Sequence, residues 1–246
     1  CRIKDELRRM GIKVSEPTIQ KVLKENGFYP GTGKPKTWER FKSSVKDAMW
    51  ALDFFVVRTA KGVWMSTLIV VDLHTREILD LRAFDGWEPD SIWTIRALNQ
   101  AISRENRKPE TVLHDHGTNF MGQFKRQLRV LEIEQRRTPT RLPWVNGVAE
   151  RAVKSVRLEL LNHVRVKDVE ELQWYLDEFK RYYNDFRANQ AVDGFTPAEC
   201  GRDSPLAEVI SIDEVRRRKL VHHSFAHGIL NAYELVNDEQ ADEKSA

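Results

Sequence analysis

The rhythm of apolar and polar positions changes twice along this chain. Over residues 2–27 the apolar Ile3, Leu7 and Met10 recur at helical spacing, Gly11 interrupts, and Ser15 and Pro17 open a second helix running to Asn26-Gly27. From residue 49 strand-like apolar runs take over, at Met49–Val57, Trp64–Val71 and Arg76–Phe84. Turn residues Ala60-Lys61-Gly62 and Asp72-Leu73-His74-Thr75 separate them. Pro89–Ser103 returns to the helical period through Ile92, Ile95, Leu98 and Ile102. Beyond it, Thr111–His114 predicts a short buried strand, Asn119–Leu131 a helix, Glu132–Arg136 a strand, and Val148–Val164 and Val169–Asp185 two more helices. Strands alternating with helices in this order predict an α/β fold, a mixed five-stranded sheet with helices on both faces.

Composition sharpens this division. With 41% apolar and 31% charged residues, the 246-residue chain can bury a core. Its net charge of +3 is unevenly spread: residues 1–46 hold 12 Lys and Arg against 5 Asp and Glu, and the other 200 hold 28 against 32. A basic arm on a mildly acidic domain suits a polyanionic partner. The expected organisation is a partial helix-turn-helix over 1–29, a Gly-, Pro- and Lys-rich linker over 30–46, a core over 47–200, and an extension of unknown role over 201–246. Within the extension, Lys219–Val236 reads as a strand pair or an extended arm. The R-R-R-K run at 216–219 and the acidic end Asp238–Glu243 receive no function.

Some classes drop out. No apolar run approaches the ~18 residues of a membrane span. The charged start Cys1-Arg2-Ile3-Lys4-Asp5 is unlike a signal peptide. Two cysteines, Cys1 and Cys200, exclude a disulfide scaffold and a four-cysteine zinc site, and fit a reducing cytoplasm. His222, His223 and His227 sit near no cysteine cluster and read as surface or packing residues. Beginning at Cys rather than Met, the chain reads as a fragment.

The first two helices fit a helix-turn-helix whose second helix presents Thr18, Gln20, Lys21 and Lys24 to a DNA major groove. A plain helical hairpin is the alternative. In the core, three carboxylates stand out. Asp53 lies inside an apolar strand, where a lone carboxylate costs several kcal/mol unless paired or bound to a cation. Asp72 and Asp80 compete with it, but turn chemistry explains Asp72 and the strand around Asp80 is less apolar. Asp115 ends a short strand, where open α/β sheets bind ligands. Glu150 stands in the first turn of a long helix. At 100° per residue Lys154 and Arg157 fall within about 60° of it, and Glu159 about 180° away. Each carboxylate alone also fits a bland reading as a salt bridge, a turn residue or a helix-dipole partner. Together, two strand-borne Asp and a helix-borne Glu would repel one another unless cations sit among them. Hard oxygen ligands suit Mg²⁺ or Mn²⁺, and two such ions can drive an in-line phosphoryl displacement. Lys154 and Arg157 would then hold a phosphate backbone beside them.

The runs W-A-L-D-F-F (50–55), D-H-G-T-N-F (115–120) and P-W-V-N-G-V-A-E-R (143–151) resemble the integrase core shared by retroviral integrases and bacterial insertion-sequence transposases. The tail Y-N-D-F-R-A-N-Q-A-V-D-G-F-T-P-A-E (183–199) is similar to the ending of the bacterial branch, except that Arg187-Ala188-Asn189 replaces its usual R-P-H. Asp115 and Glu150 are separated by 34 residues, the spacing of that family's acidic triad. The resemblance covers about 45–200 and implies a ribonuclease H-like fold, with Asp53, Asp115 and Glu150 as catalytic residues and ligands of two Mg²⁺ or Mn²⁺ ions. It implies hydrolysis at an element end, then attack of a 3′-hydroxyl on target DNA. The implied partners are terminal repeats, target DNA and further copies of the chain, on the bacterial nucleoid and without a membrane. Within the same motifs Asn119, Asn146 and Arg151 join Lys154 and Arg157 as candidate DNA contacts. The retroviral zinc-binding module is not among the motifs, and the first helix of a three-helix DNA-binding unit is missing. Rival readings are a metal-dependent nuclease of the same fold and a catalytically silent DNA-binding repressor or decayed element product.

Overall fold

The computed structural model describes residues 2–25, 49–137, 147–192, 194–200 and 210–237. The linker 30–46, Asn146 and the acidic stretch 238–243 lie outside the described residues. Two short helices open the chain, α1 (Arg2–Arg9) and α2 (Glu16–Glu25). Gly11, at φ +78°, turns the chain between them in a conformation that favours glycine. Ser15 starts α2, its Oγ accepting the Thr18 N–H at 3.2 Å.

Five strands among the described residues form one mixed sheet in the order β3-β2-β1-β4-β5. They are β1 (Met49–Arg58), β2 (Trp64–Asp72), β3 (Ile78–Phe84), β4 (Thr111–His114) and β5 (Glu134–Arg137). The first three run antiparallel as a meander, and β4 and β5 join parallel to β1. Parallel neighbours need a crossover; α3 (Ser91–Glu105) and α4 (Gln123–Val130) supply it. One face buries Trp50, Leu52, Val70 and Val112 with Ala97, Leu98, Phe124 and Leu128 of these helices. The other packs Ala51, Leu73 and Leu113 against Ala149 of α5 (Gly147–Val156). Beside β3, α6 (Val169–Arg181) and the turn after it satisfy the outer strand: Gln173 bonds Leu81 and Ala83, and Asn184 bonds Ile78 at both N–H and C=O. An edge with its backbone groups so occupied does not recruit stray strands.

Several element limits depart from the sequence pattern. The third strand starts at Ile78 rather than Arg76, because Arg76 takes φ +67° and prolongs the Asp72 turn. The helix expected over Asn119–Leu131 is a 3-10 turn at Thr118–Phe120 followed by α4, broken at Gly122 with φ +53°. Glu132, at φ +58°, delays the next strand to Glu134. The helix expected over Val148–Val164 is α-helical to Val156 and widens into a π turn over Arg157–Leu161. A second π turn, Tyr182–Phe186, follows α6.

The chain divides into two compact units, one of Cys1–Lys42, Asp185–His223 and Asn231–Ala246, the other of Ser43–Asn184 and Ser224–Leu230. Within the first, α1 is tied to the segment after Asn184. Glu6 Oε1 accepts the Ala188 N–H at 3.0 Å, Arg9 pairs with Glu199 at 3.2 Å, and the Gly11 carbonyl accepts Ile210 N–H. That segment continues through α7 (Pro197–Cys200) and α8 (Ile212–Arg217). Lys219–Val236 is a strand pair, β6 (Lys219–Phe225) with β7 (Leu230–Val236). His222 stacks on Tyr233, His223 lies against Phe186 and Glu234, and His227 stacks on Trp174, all packing roles.

Candidate active site

The parallel register pairs Trp50 with Val112 and Ala51 with Leu113. Carried two residues on, the same register sets Asp53 beside Asp115, just past the carboxyl end of β4. Strand alternation places both on the face of Ala51 and Leu113. That face is covered by α5 through Val148 and Ala149, and Glu150 is the next residue. Two neighbouring strands and one helix therefore deliver the three carboxylates singled out in the sequence to one end of the sheet.

Their charges reach one another. Burial, and then the negative charges of Asp115 and Glu150, push the Asp53 carboxyl from 3.8 up to about 6, against the opposing effect of the Phe54 N–H bonded to its Oδ1 at 2.9 Å. Asp115 and Glu150 are exposed. Asp115 commits Oδ1 to the Gly117 N–H at 2.9 Å, and a Cβ on Gly117 would come within 3.0 Å of that oxygen. As placed, the carboxylates do not form a closed cage: among the described residues no three His, Cys, Asp or Glu are gathered closely enough to hold a metal ion. The donor set is nevertheless that of a hard divalent cation, and a carboxyl kept partly protonated by its neighbours is one that positive charge would stabilise.

The competing aspartates are occupied elsewhere. Asp72 accepts the N–H groups of His74 and Thr75 and pairs with Arg107 at 3.6 Å. Asp80 is buried between Arg82 and Arg104, each at 3.1 Å. Lys154 is exposed one turn beyond Glu150. Arg157 is exposed two turns beyond Glu150, its guanidinium donating to Val56 O at 3.1 Å and lying 5.4 Å from the Phe55 ring. Arg151 is exposed, and Asn119 is half-buried with its Oδ1 accepting the Thr118 hydroxyl. Thr18, Gln20, Lys21 and Lys24 are all exposed on α2, in the other compact unit. Sequence reasoning missed His114 and Gln135, which meet under Asp115 on the opposite face of the sheet, with their ring and amide nitrogens 2.7 Å apart.

The raised Asp53 carboxyl has a measurable consequence. Between pH 4 and 6 the unfolded chain releases this proton and the folded one keeps it, so stability falls as pH rises through that window and stays reduced above it. Without divalent cation, Asp53→Asn should therefore raise stability at pH 7 by about 2 kcal/mol, allowing for partial exposure. The gain should shrink to near zero at pH 4. Denaturant melts of both proteins at the two pH values measure it, and equal effects at both would show that Asp53 is not perturbed.

Residues 131–197 match the family model of the integrase core domain. No curated protein matches the chain. Among solved structures, a chain of the simian T-cell lymphotropic virus intasome in complex with PP2A regulatory subunit B56 gamma superposes with a TM-score of 0.57 at 16% identity, covering 85% of this chain and 73% of that one. The HTLV-2 integrase catalytic core domain in complex with magnesium, in its dimeric form, superposes with a TM-score of 0.50 at 18% identity, over 65% of this chain and 99% of that one. Its trimeric form gives the same values. No helix among the described residues is long and apolar enough to cross a membrane. The described core has the ribonuclease H-like fold seen in integrase catalytic cores, and residues 131–197 are similar to the integrase core domain.

Proposed function

We propose that the protein is a DNA strand transferase of the transposase and integrase type, which cuts at the ends of a mobile element and joins them to target DNA. The observation that carries this reading is the Asp53–Asp115 register with Glu150 supplied by α5, three carboxylates close enough that two of them raise the third. The tail motif over 183–199 favours the bacterial insertion-sequence branch.

Asp53, Asp115 and Glu150 would hold one or two Mg²⁺ or Mn²⁺ ions, whose chemistry there is to polarise the scissile phosphate and favour ionisation of the attacking hydroxyl. The chain's own residues prepare that chemistry. The sheet fixes the spacing of the two Asp side chains, and the Gly117 N–H orients Asp115 by taking one of its oxygens. With its carboxyl at about 6, Asp53 is mostly ionised at pH 7 and becomes protonated in mild acid. Bound cation would favour the ionised form, so acid should weaken cation binding and with it cleavage. Lys154, one turn from Glu150, would hold a backbone phosphate, with Arg151 and Asn119 as further contacts. Thr18, Gln20, Lys21 and Lys24 of α2 would read the element end, with further copies of the chain bringing two ends together.

Incubating labelled element-end duplexes and a target plasmid with Mg²⁺ tests the reading. Cleaved ends covalently joined to plasmid are expected. Cleavage without joining, on any DNA, would make the protein a nuclease; tight binding with neither product would make it a repressor. Lys154→Ala should make the salt slope of DNA binding shallower by roughly 1, the share of a single phosphate contact.

A further inference from the structure

Asp115 stands at the end of β4, and its position depends on what fixes that strand end. Directly before it, His114 is fully buried on the opposite face of the sheet, its ring stacked on Phe120 with centroids 4.3 Å apart. The ring nitrogens have distinct partners. Nδ1 lies 2.5 Å from the Asp115 carbonyl, and Nε2 lies 2.7 Å from the side-chain amide nitrogen of Gln135 on β5. The same amide nitrogen lies 2.9 Å from the Phe120 carbonyl, and a carbonyl can only accept. The Gln135 NH₂ therefore gives one hydrogen to Phe120 O and the other to His114 Nε2. An Nε2 that accepts leaves the proton on Nδ1, which donates to the Asp115 carbonyl.

We infer that Gln135 is a positioning residue that acts through the ring of His114 to lock the Asp115 peptide. It ties β5, the Phe120 turn and the acidic strand end into one hydrogen-bonded chain. Asp115 is then held on both sides, by His114 at its carbonyl and by Gly117 N–H at its carboxylate. Packing places the His114 ring, the Asp115 carbonyl calls for the proton on Nδ1, and Gln135 holds the far side of the same ring at Nε2. The role in catalysis rests on the strand-transfer reading, whereas the locking of Asp115 does not.

Two readouts need no DNA and no metal. In the wild-type protein, nitrogen-15 spectroscopy should show His114 neutral with its proton on Nδ1. Gln135→Met, close to isosteric but without donors, should speed exchange of the Gly117 N–H by about tenfold, the scale of one lost hydrogen bond. A pair of ring replacements separates positioning from packing. His114→Asn keeps a donor near the Nδ1 position and His114→Gln near the Nε2 position, and both remove the stack on Phe120. The relay predicts that Asn preserves Gly117 protection and DNA joining better than Gln. In activity, Gln135→Met should lower joining by about 10- to 100-fold, as for lost support around a ligand. A proton on Nε2, or equal behaviour of His114→Asn and His114→Gln, would overturn the inference. Intact tautomer and exchange effects in a wild-type protein that joins no DNA would uphold the lock and overturn the function instead.

Discussion

Asp115→Asn is expected to abolish both cutting and joining while leaving the fold in place. The amide keeps an oxygen for the Gly117 N–H, so the turn after β4 survives, and the register of β4 with β1 does not involve this side chain. What disappears is one negative charge of the three that face one another. Loss of a single well-placed charge-stabilising group commonly costs about 10²–10³ in rate, and loss of a ligand should reach at least that. The same substitution removes one of the influences that raise the Asp53 carboxyl, so that carboxyl should titrate lower in the variant. Circular dichroism and thermal melts check the fold, labelled duplexes the chemistry, and carbon-13 titration the shift. Joining at near wild-type rate would remove Asp115 from the site.

A comparable loss, in selectivity rather than chemistry, is expected when Thr18, Gln20, Lys21 and Lys24 are all replaced by Ala. These side chains are exposed on α2, none is needed to bury the helix, and Ser15 remains to start it. If α2 lies in a major groove, preference for element ends over random duplex should fall by about a thousandfold, the lower end of the gap between specific and non-specific binding. Cleavage of non-specific DNA should persist. Substitution is a cleaner test than removing the whole amino-terminal segment, because Glu6 and Arg9 of α1 hold Ala188, Phe186 and Glu199. Competition binding with scrambled duplexes measures the preference, and an unchanged ratio would move end recognition to another surface.

The two acidic strand positions were legible in the sequence because a carboxylate in an apolar strand has few ways to be stable, and one at a strand's carboxyl end lies where sheets bind ligands. Glu150 was legible through its motif, and Ala152 and Val156 of the same helix are buried, which leaves Glu150 at the exposed side. The pattern was silent where the backbone departs from regular periods. Leu160 is buried within the π turn, so the apolar pattern gives no sign that the helix widens after Val156. Gly122, Arg76 and Glu132 adopt positive φ at points where neighbouring apolar residues gave no warning. The burial of Asp80 depends on Arg104, 24 residues away, and the meeting of His114 with Gln135 depends on the β4–β5 register. Pairings of that kind exist only once the sheet order is known.

The parallel pairing of β1 with β4 also has a bearing on how the protein is made. Asp53 leaves the ribosome with the first three strands, which can pair among themselves as a meander. Its acidic neighbours arrive 62 and 97 positions later. At a synthesis rate of about 5–20 residues per second, Glu150 follows Asp53 by roughly 5–20 s. Throughout that interval the nascent chain lacks the full set of acids, and on the strand-transfer reading it would meet DNA without cutting it. Slow translation between residues 115 and 150 would lengthen this harmless period, and a chain interrupted there would stay inert however well its first strands fold.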